Sequence, residues 1–256
     1  MVRRTCKLCL NEADLQRSHY VGKALYRLSS ADGELPILAS RDLIIQDQKQ
    51  IADYVLCRVC ERRFSDLGEN YVMKMVNLKD SFKMMELIRA NPIRRAVGDY
   101  TVYRAADMGI DTNALAYFAL SIIWRGGAHI WRTFGDRGTG GLQLGHHEER
   151  LRRYLSGSDP FPMGVAVKVS VASDYASQNV VLFPRANVDQ PDATVFTFAA
   201  RGIWFDVVVG DDLPKYLYEN CCVSSPDKLI YLGDFERFVM YELRLYRQTA
   251  TVRHPL

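Results

Sequence analysis

The sequence predicts an α+β protein in three parts, and three features predict it. Two Cys-x-x-Cys pairs, Cys6-Lys7-Leu8-Cys9 and Cys57-Arg58-Val59-Cys60, give the N-terminal segment the ligand pattern of a four-thiolate zinc knuckle. Between Glu61 and Leu155 apolar residues recur mainly at helical spacing. From Val165 the pattern changes to strict alternation, Val165-Ala166-Val167-Lys168-Val169-Ser170-Val171. The segments are an N-terminal zinc domain over 1–75, a helical region over 76–158, and a β-rich region over 159–256 with a closing helix. A stretch rich in Ser, Gly, Asp and Pro, Ser156 to Pro162, joins the last two.

The cysteine pairs carry the strongest chemistry. Zn²⁺ favours a tetrahedron of soft thiolates, and a tight turn with two sulfurs two residues apart supplies half of one. Cys6, Cys9, Cys57 and Cys60 together close the site, so the zinc is structural, with no open position for water or substrate. The competing reading is two pairs of buried or redox thiols, including a sensor that releases zinc on oxidation. A thioredoxin-like use needs one pair in a βαβ setting, which neither pair has. Six cysteines in 256 residues are too few for a disulfide scaffold. Cys221 and Cys222 read as reduced, half-buried thiols, and the whole set suits a reducing, cytoplasmic location. A net charge of +3 is compatible with nucleic-acid binding without arguing for it alone. No apolar stretch follows the charged start Met1-Val2-Arg3-Arg4-Thr5, and the longest apolar run, Ala114 to Trp124, is too short to cross a bilayer.

In chain order, Leu15 to Val21 reads as a short strand and Gly22 to Arg27 as a helical turn. Residues 28–50 are mixed and polar, an insertion between the knuckle halves, with Ala31-Asp32-Gly33 as a turn signal and Pro36 as a breaker. Ile51 to Leu56 is a short strand leading into Cys57. After Cys60 the positions Glu61, Phe64, Leu67 and Tyr71 fall at helical spacing, with Gly68 as a candidate break. A knuckle at a hairpin tip followed by a second pair opening a helix is the treble-clef arrangement. Helical signal runs on from Tyr71 to Arg89 and ends at Asn91-Pro92. Residues 93–111 carry no clear pattern. Thr112-Asn113 caps a helix from Ala114 to about Phe134, apolar nearly all round and therefore central. Gly135 to Gly141 lacks the Gly-Lys-Ser/Thr of a phosphate loop. A helix over Gly145 to Leu155, strands at Val180–Phe183 and Leu229–Leu232, a hairpin of 193–199 and 203–209 turning near Arg201-Gly202, and a helix over Asp234–Tyr246 complete the chain.

Cys6-x-x-Cys9, Ser18-His19, Cys57-x-x-Cys60 and Glu61 resemble the knuckle of His-Asn-His (HNH) endonucleases of the ββα-metal class. The chain is also similar to bacterial proteins that pair a Ser-His…Lys-x-Leu-Tyr segment with Leu-Cys-x-x-Cys-Glu-x-Arg-Phe-Ser-x-x-Gly-Glu, here Ser18 to Tyr26 and Leu56 to Glu69. The resemblance covers roughly 1–75. It implies a structural zinc, His19 as general base, Glu61 as ligand of a catalytic Mg²⁺ or Mn²⁺, a nucleic-acid substrate with DNA ahead of RNA, and a role in phage defence or mobile-element biology. The sequence departs from the family pattern at Ser18, where an Asp or His ligand is usual, at Glu61, where a His is usual, and in having no Asn between Glu12 and Glu69. Glu69 and Asp66 are further candidate ligands.

Each of these residues also has a plainer reading. His19 could pack within the zinc core, and Glu61 could be a carboxylate favoured at a helix N-terminus or paired with Arg62 or Arg17. Arg3, Arg4, Lys7, Arg17, Lys23, Arg27, Arg58, Arg62 and Arg63 would give the knuckle a positive face. Arg17, Lys23, Arg58, Arg62 and Arg63 are the nucleic-acid-binding candidates, and the alternative for them is an ordinary solvated surface. Tyr20 and Tyr26 read as packing residues, and Arg125 as a capping or buried-pair arginine. His146-His147-Glu148-Glu149 lacks His-Glu-x-x-His spacing and reads as a helix N-terminus with exposed polar residues. A non-catalytic, zinc-stabilised binding module is the competing function, and it leaves room for a protein partner or a homo-oligomer.

Overall fold

The computed structural model describes residues 2–23, 25, 37–40, 43–46, 51–78, 81–92, 94–131, 141–190, 193–223, 227–237 and 239. The N-terminal half opens with β1 (Val2–Thr5) and β2 (Glu12–His19), followed by β3 (Ile37–Ser40), β4 (Leu43–Gln46) and β5 (Ala52–Cys57). Strands β1, β2 and β5 form an antiparallel sheet with β2 in the centre. Helix α1 (Arg58–Phe64) starts directly from β5, with Cys57 as an extended N-cap. It passes through a π-helical turn, Ser65–Glu69, into α2 (Asn70–Met75).

Gly68 does not break this helix. A Cβ at Gly68 would lie 2.8 Å from the Phe118 backbone nitrogen, so glycine lets two helices meet backbone to backbone. The expected helix from Tyr71 to Arg89 is interrupted instead at Val76, whose backbone is extended. The cause is tertiary. Asn77 N–H donates to the Arg201 carbonyl at 3.0 Å, and Arg201 Nε donates to the Asn77 carbonyl at 2.7 Å. That pairing draws the chain into the small hairpin β6 (Asn77–Leu78) and β7 (Ser81–Phe82) before α3 (Lys83–Ala90).

The middle of the chain is not purely helical. Strands β8 (Arg95–Val97) and β9 (Tyr100–Arg104) come from the stretch that carried no clear pattern. Helix α4 (Thr112–Ala128) is capped by Asp111, whose side chain accepts from Asn113 N–H and Ala114 N–H, both at 3.0 Å. The cap is one residue earlier than expected. The helix also stops before Phe134 because its last carbonyls are taken: Trp131 Nε1–H donates to Arg125 and Leu142 N–H to Gly126, each at 2.9 Å. Helix α5 (His147–Ser156) ends at Gly157, in the left-handed region at φ 82°.

The C-terminal part supplies β10 (Val165–Ala172), α6 (Tyr175–Gln178), β11 (Val181–Gln190), β12 (Ala193–Ala200), β13 (Ile203–Val209), α7 (Lys215–Glu219) and β14 (Leu229–Gly233). Arg201 and Gly202 turn the β12–β13 hairpin with positive φ at both positions, the pattern of a type I′ turn. The large sheet has nine strands in the order β4-β3-β11-β12-β13-β10-β14-β9-β8, with β10–β14 and β11–β3 parallel and the other pairs antiparallel. The segment expected to be an insertion thus contributes one edge, β3–β4, and the middle region contributes the other, β8–β9. Phe118 of α4 packs on Phe198 and Phe205 of the sheet. One hydrophobic core runs from Cys6, Leu8 and Phe64 through α4 to Val167 and Phe205. Glu236 and Arg237 begin a helix after β14, and the rest of the expected closing helix lies outside the described residues, as do Tyr26, Arg27 and most of the glycine-rich loop. Among the described residues, no helix is long and apolar enough to cross a membrane.

Candidate metal centre and the pocket beside it

The first knuckle is the turn between β1 and β2. Leu10 takes φ 62°, and its N–H closes the turn on the Cys6 carbonyl at 2.9 Å. The second knuckle is the β5–α1 junction. The ligand atoms of Cys6, Cys9, Cys57 and Cys60 all lie within 4.8 Å of one another. Cys9 Sγ and Cys57 Sγ are 4.0 Å apart. A tetrahedron with Zn–S bonds of about 2.3 Å has edges of about 3.8 Å, so the sulfurs stand almost where zinc would hold them. Cys57 N–H donates to Cys6 Sγ at 3.3 Å, the contact that steadies a thiolate. The thiol of Cys60 hydrogen-bonds Cys6 and brings its pKa down to about 4, whereas that same hydrogen bond and burial push Cys60 up. Four thiolates this close repel one another, and a cation among them offsets that repulsion. The donor set fits zinc.

Beside the centre is a cavity of about 410 Å³ lined by Gln16, Arg17 and His19 of β2, Gly22 and Lys23, Arg58, Glu61, Arg62, Ser65 and Glu69 of the α1 helix and its π turn, and Arg125 of α4. The predicted base His19 and the predicted ligand Glu61 therefore face one space, with Arg17, Lys23, Arg58 and Arg62 around it. Ser18, the position of an acidic ligand in the family pattern, is not on the cavity wall but lies behind it, within reach of Glu61. It is fully buried, and its Oγ accepts from Leu56 N–H at 3.1 Å. Glu61 pairs with neither Arg62 nor Arg17. Burial raises its carboxyl pKa, against the lowering effect of Arg125 and a hydrogen bond with Ser18. Glu61 Oε1 is sealed from solvent without a hydrogen-bond partner. His19, Glu61 and Glu69 share the pocket, but their ligand atoms do not gather within 4.8 Å as the four sulfurs do.

Glu69 and Arg125 complete the electrostatics. Arg125 is 1% exposed, donates from Nη2 to Glu69 Oε1 at 2.7 Å, and lies 4.7 Å from the Phe64 ring centroid. The buried-pair reading of Arg125 holds, and its partner is Glu69. Spacing along one helix signals Glu69, eight residues after Glu61, whereas Arg125 arrives from a distant helix and no local pattern announces it. Arg63 is not part of the pocket. Its Nε donates to the Leu155 carbonyl at 2.8 Å and ties α1 to α5. Arg62 pairs with Asp66 at 3.3 Å in an exposed (i, i+4) contact, so Asp66 serves Arg62. Tyr20 packs between Trp131 and Phe183, with ring centroids 5.3 and 5.6 Å away.

Two expectations about other clusters change. Cys221 and Cys222 are fully buried, not half-buried, and burial pushes the Cys222 thiol well up. His147 is likewise buried at 7% exposure rather than exposed. His146, His147 and Asp211 bring ligand atoms within 4.8 Å. Asp211 Oδ1 accepts from His146 Nε2 at 2.9 Å and from Arg150 Nη1 at 3.1 Å, which accounts for the cluster without an ion. No protein-family model, curated protein or solved structure matches the chain.

Proposed function

We propose that the protein engages nucleic acid through the cationic pocket beside the four-cysteine centre and hydrolyses a phosphodiester there, as a divergent HNH-like nuclease with a treble-clef zinc domain. The observation that supports this most is that His19 and Glu61, with three strands between their elements in the chain, line one cavity. The four sulfurs tie the β1–β2 turn to the β5–α1 junction, and the pairing of β2 with β5 carries His19 to the cavity that Glu61 lines. His19 accepts the proton of the attacking water. Arg17, Lys23, Arg58 and Arg62 hold flanking phosphates. Arg125 keeps Glu69 in place and favours the ionised form of Glu61. The orphaned Glu61 oxygen is a hard donor of the type Mg²⁺ or Mn²⁺ takes, and with Glu69 it would hold such an ion, which when bound neutralises charge on the leaving oxygen.

The test incubates zinc-loaded protein with plasmid DNA and with RNA, with Mg²⁺, with Mn²⁺ and with neither. Metal-dependent cutting that His19→Ala abolishes is the expected result, a loss of at least about 100-fold for a positioned base. No cutting, or cutting that survives His19→Ala, removes His19 from the catalytic role and moves the weight to the zinc-stabilised binding module. The second reading, a non-catalytic zinc-stabilised module, is favoured by the ungathered ligands and by the inward Ser18. It predicts salt-dependent binding of nucleic acid with no turnover.

A further inference from the structure

The outer face of the nine-stranded sheet, opposite α4, carries a polar row that nothing in the zinc domain uses. Lys168 pairs in register with Asp206, and Asp206 with Thr197, so the three side chains stand in line across β10, β13 and β12. Their same-face neighbours are apolar. Ala166 and Val208 lie toward one end with Leu213 and Cys221, and Ala199 and Trp204 toward the other with Val239 and Phe235. Between these two clusters is a cavity of about 490 Å³, whose lining includes Tyr100, Lys168, Thr197, Trp204, Asp206 and Phe235. That volume lies within the usual range of small-molecule sites, about 300–1,000 Å³.

The charges in the row are not closed on each other. Lys168 Nζ sits 4.7 Å from the Tyr100 ring centroid and 4.6 Å from that of Tyr231, a cation–π seat between two rings. Asp206 Oδ1 accepts from Thr197 Oγ1 at 2.7 Å. Although Lys168 and Asp206 are direct cross-strand partners, they form no ion pair among the described residues. Burial raises the Asp206 carboxyl pKa, against the lowering effect of Thr197, of Lys168 and of Arg185, which continues the row on β11 in register with Thr197. Trp204 and Phe235 stack in parallel, centroids 4.9 Å apart, and form an aromatic wall. An unclosed pair of opposite charges on a packed sheet face is costly, and a ligand that bridges it recovers that cost.

We propose that this cavity binds a purine nucleoside or nucleotide with a lactam edge, guanine or hypoxanthine. The ring N–H donates to Asp206, the adjacent C=O accepts from Lys168, and the ring faces lie against the aromatic side chains. Adenine inverts both groups. Its N1 lone pair would face the carboxylate and its amino group the ammonium, so the site rejects it. The site is independent of the nuclease reading and stands or falls without it.

Isothermal titration of the full, zinc-loaded chain with guanosine, inosine and adenosine tests the assignment on the unaltered protein. Guanosine and inosine bind at one site per chain, and adenosine binds at least about tenfold more weakly. Asp206→Asn and Lys168→Met each weaken guanosine by at least about tenfold while the melting curve is kept, and His19→Ala binds as the parent does. Absence of binding by guanosine and inosine overturns the proposal, as does equal binding of adenosine. Undiminished guanosine binding in either folded cavity variant overturns it as well.

Discussion

Desolvation lifts the Glu61 carboxyl pKa, while Arg125 and Ser18 work against the lift, and the balance stays on the raised side. A carboxyl whose pKa is higher in the folded than in the unfolded chain holds its proton more tightly when folded. Its contribution is then favourable below the ordinary glutamate range and is lost as pH rises through the folded value. At neutral pH the ionised Glu61 is therefore a cost to folding. Glu61→Gln, melted without added divalent metal, raises Tm at pH 7 by about 2 °C or more, and the gain shrinks as pH is lowered toward 4. The same variant loses cutting under the nuclease reading. Greater stability with less activity marks a functional carboxylate. A fall in both would mark a structural one, as the helix-terminus reading of Glu61 requires. Arg125→Met separates the two partners of this residue. It removes the cation that favours the ionised carboxylate, leaves Glu69 unpaired on the pocket wall, and costs about 3 kcal/mol in denaturant unfolding.

At the scale of elements, one contact that joins the four-cysteine segment to the rest is the crossing of the Ser65–Glu69 turn over α4. Gly68 allows it by leaving room beside the Phe118 backbone. Gly68→Ala should cost about 1–3 kcal/mol in urea unfolding, the usual penalty of overpacking, although alanine is the better helix former at an isolated site. A stabilising effect would show that the two helices can part at little cost. Where an element was legible in the sequence, its signal was local. The Cys-x-x-Cys turns, the alternation of β10, the Arg201-Gly202 turn and the apolar circumference of α4 all report on neighbouring residues. The elements missed are those made by distant partners. The β3–β4 and β8–β9 strands pair at the two edges of the sheet, and Asn77 leaves the helix for Arg201. The pocket divides the same way. The cysteines follow from spacing and His19 and Glu61 from the resemblance, but Arg125 enters from α4, and the row Thr197–Asp206–Lys168 exists only once the register of three strands is fixed.

For the molecule as a whole, the decisive property is the continuity of its core. The boundaries drawn from composition, near 75 and 158, coincide with changes of pattern, yet Cys6, Phe64, Trp124, Val167 and Phe205 belong to one buried cluster. Arg152 strengthens the link by donating to the Leu8 carbonyl at 2.6 Å, from α5 to the first knuckle. Zinc in a four-thiolate site contributes on the order of 10 kcal/mol to the fold that binds it. In a chain of independent parts, removing it would unfold only the first and leave the sheet's melting unchanged. In this chain the lost support reaches α4 through Phe64, which meets Tyr117 and Trp124 edge to face, and then reaches the sheet through Phe118. Chelation of the metal, with its release followed by a colorimetric indicator at one equivalent per chain, should therefore lower the single Tm seen by both far-ultraviolet circular dichroism and tryptophan fluorescence, and Cys60→Ser should do the same. Two separated transitions, with the later one indifferent to the chelator, would show instead that the sheet stands by itself and that the core, though continuous, does not transmit the loss.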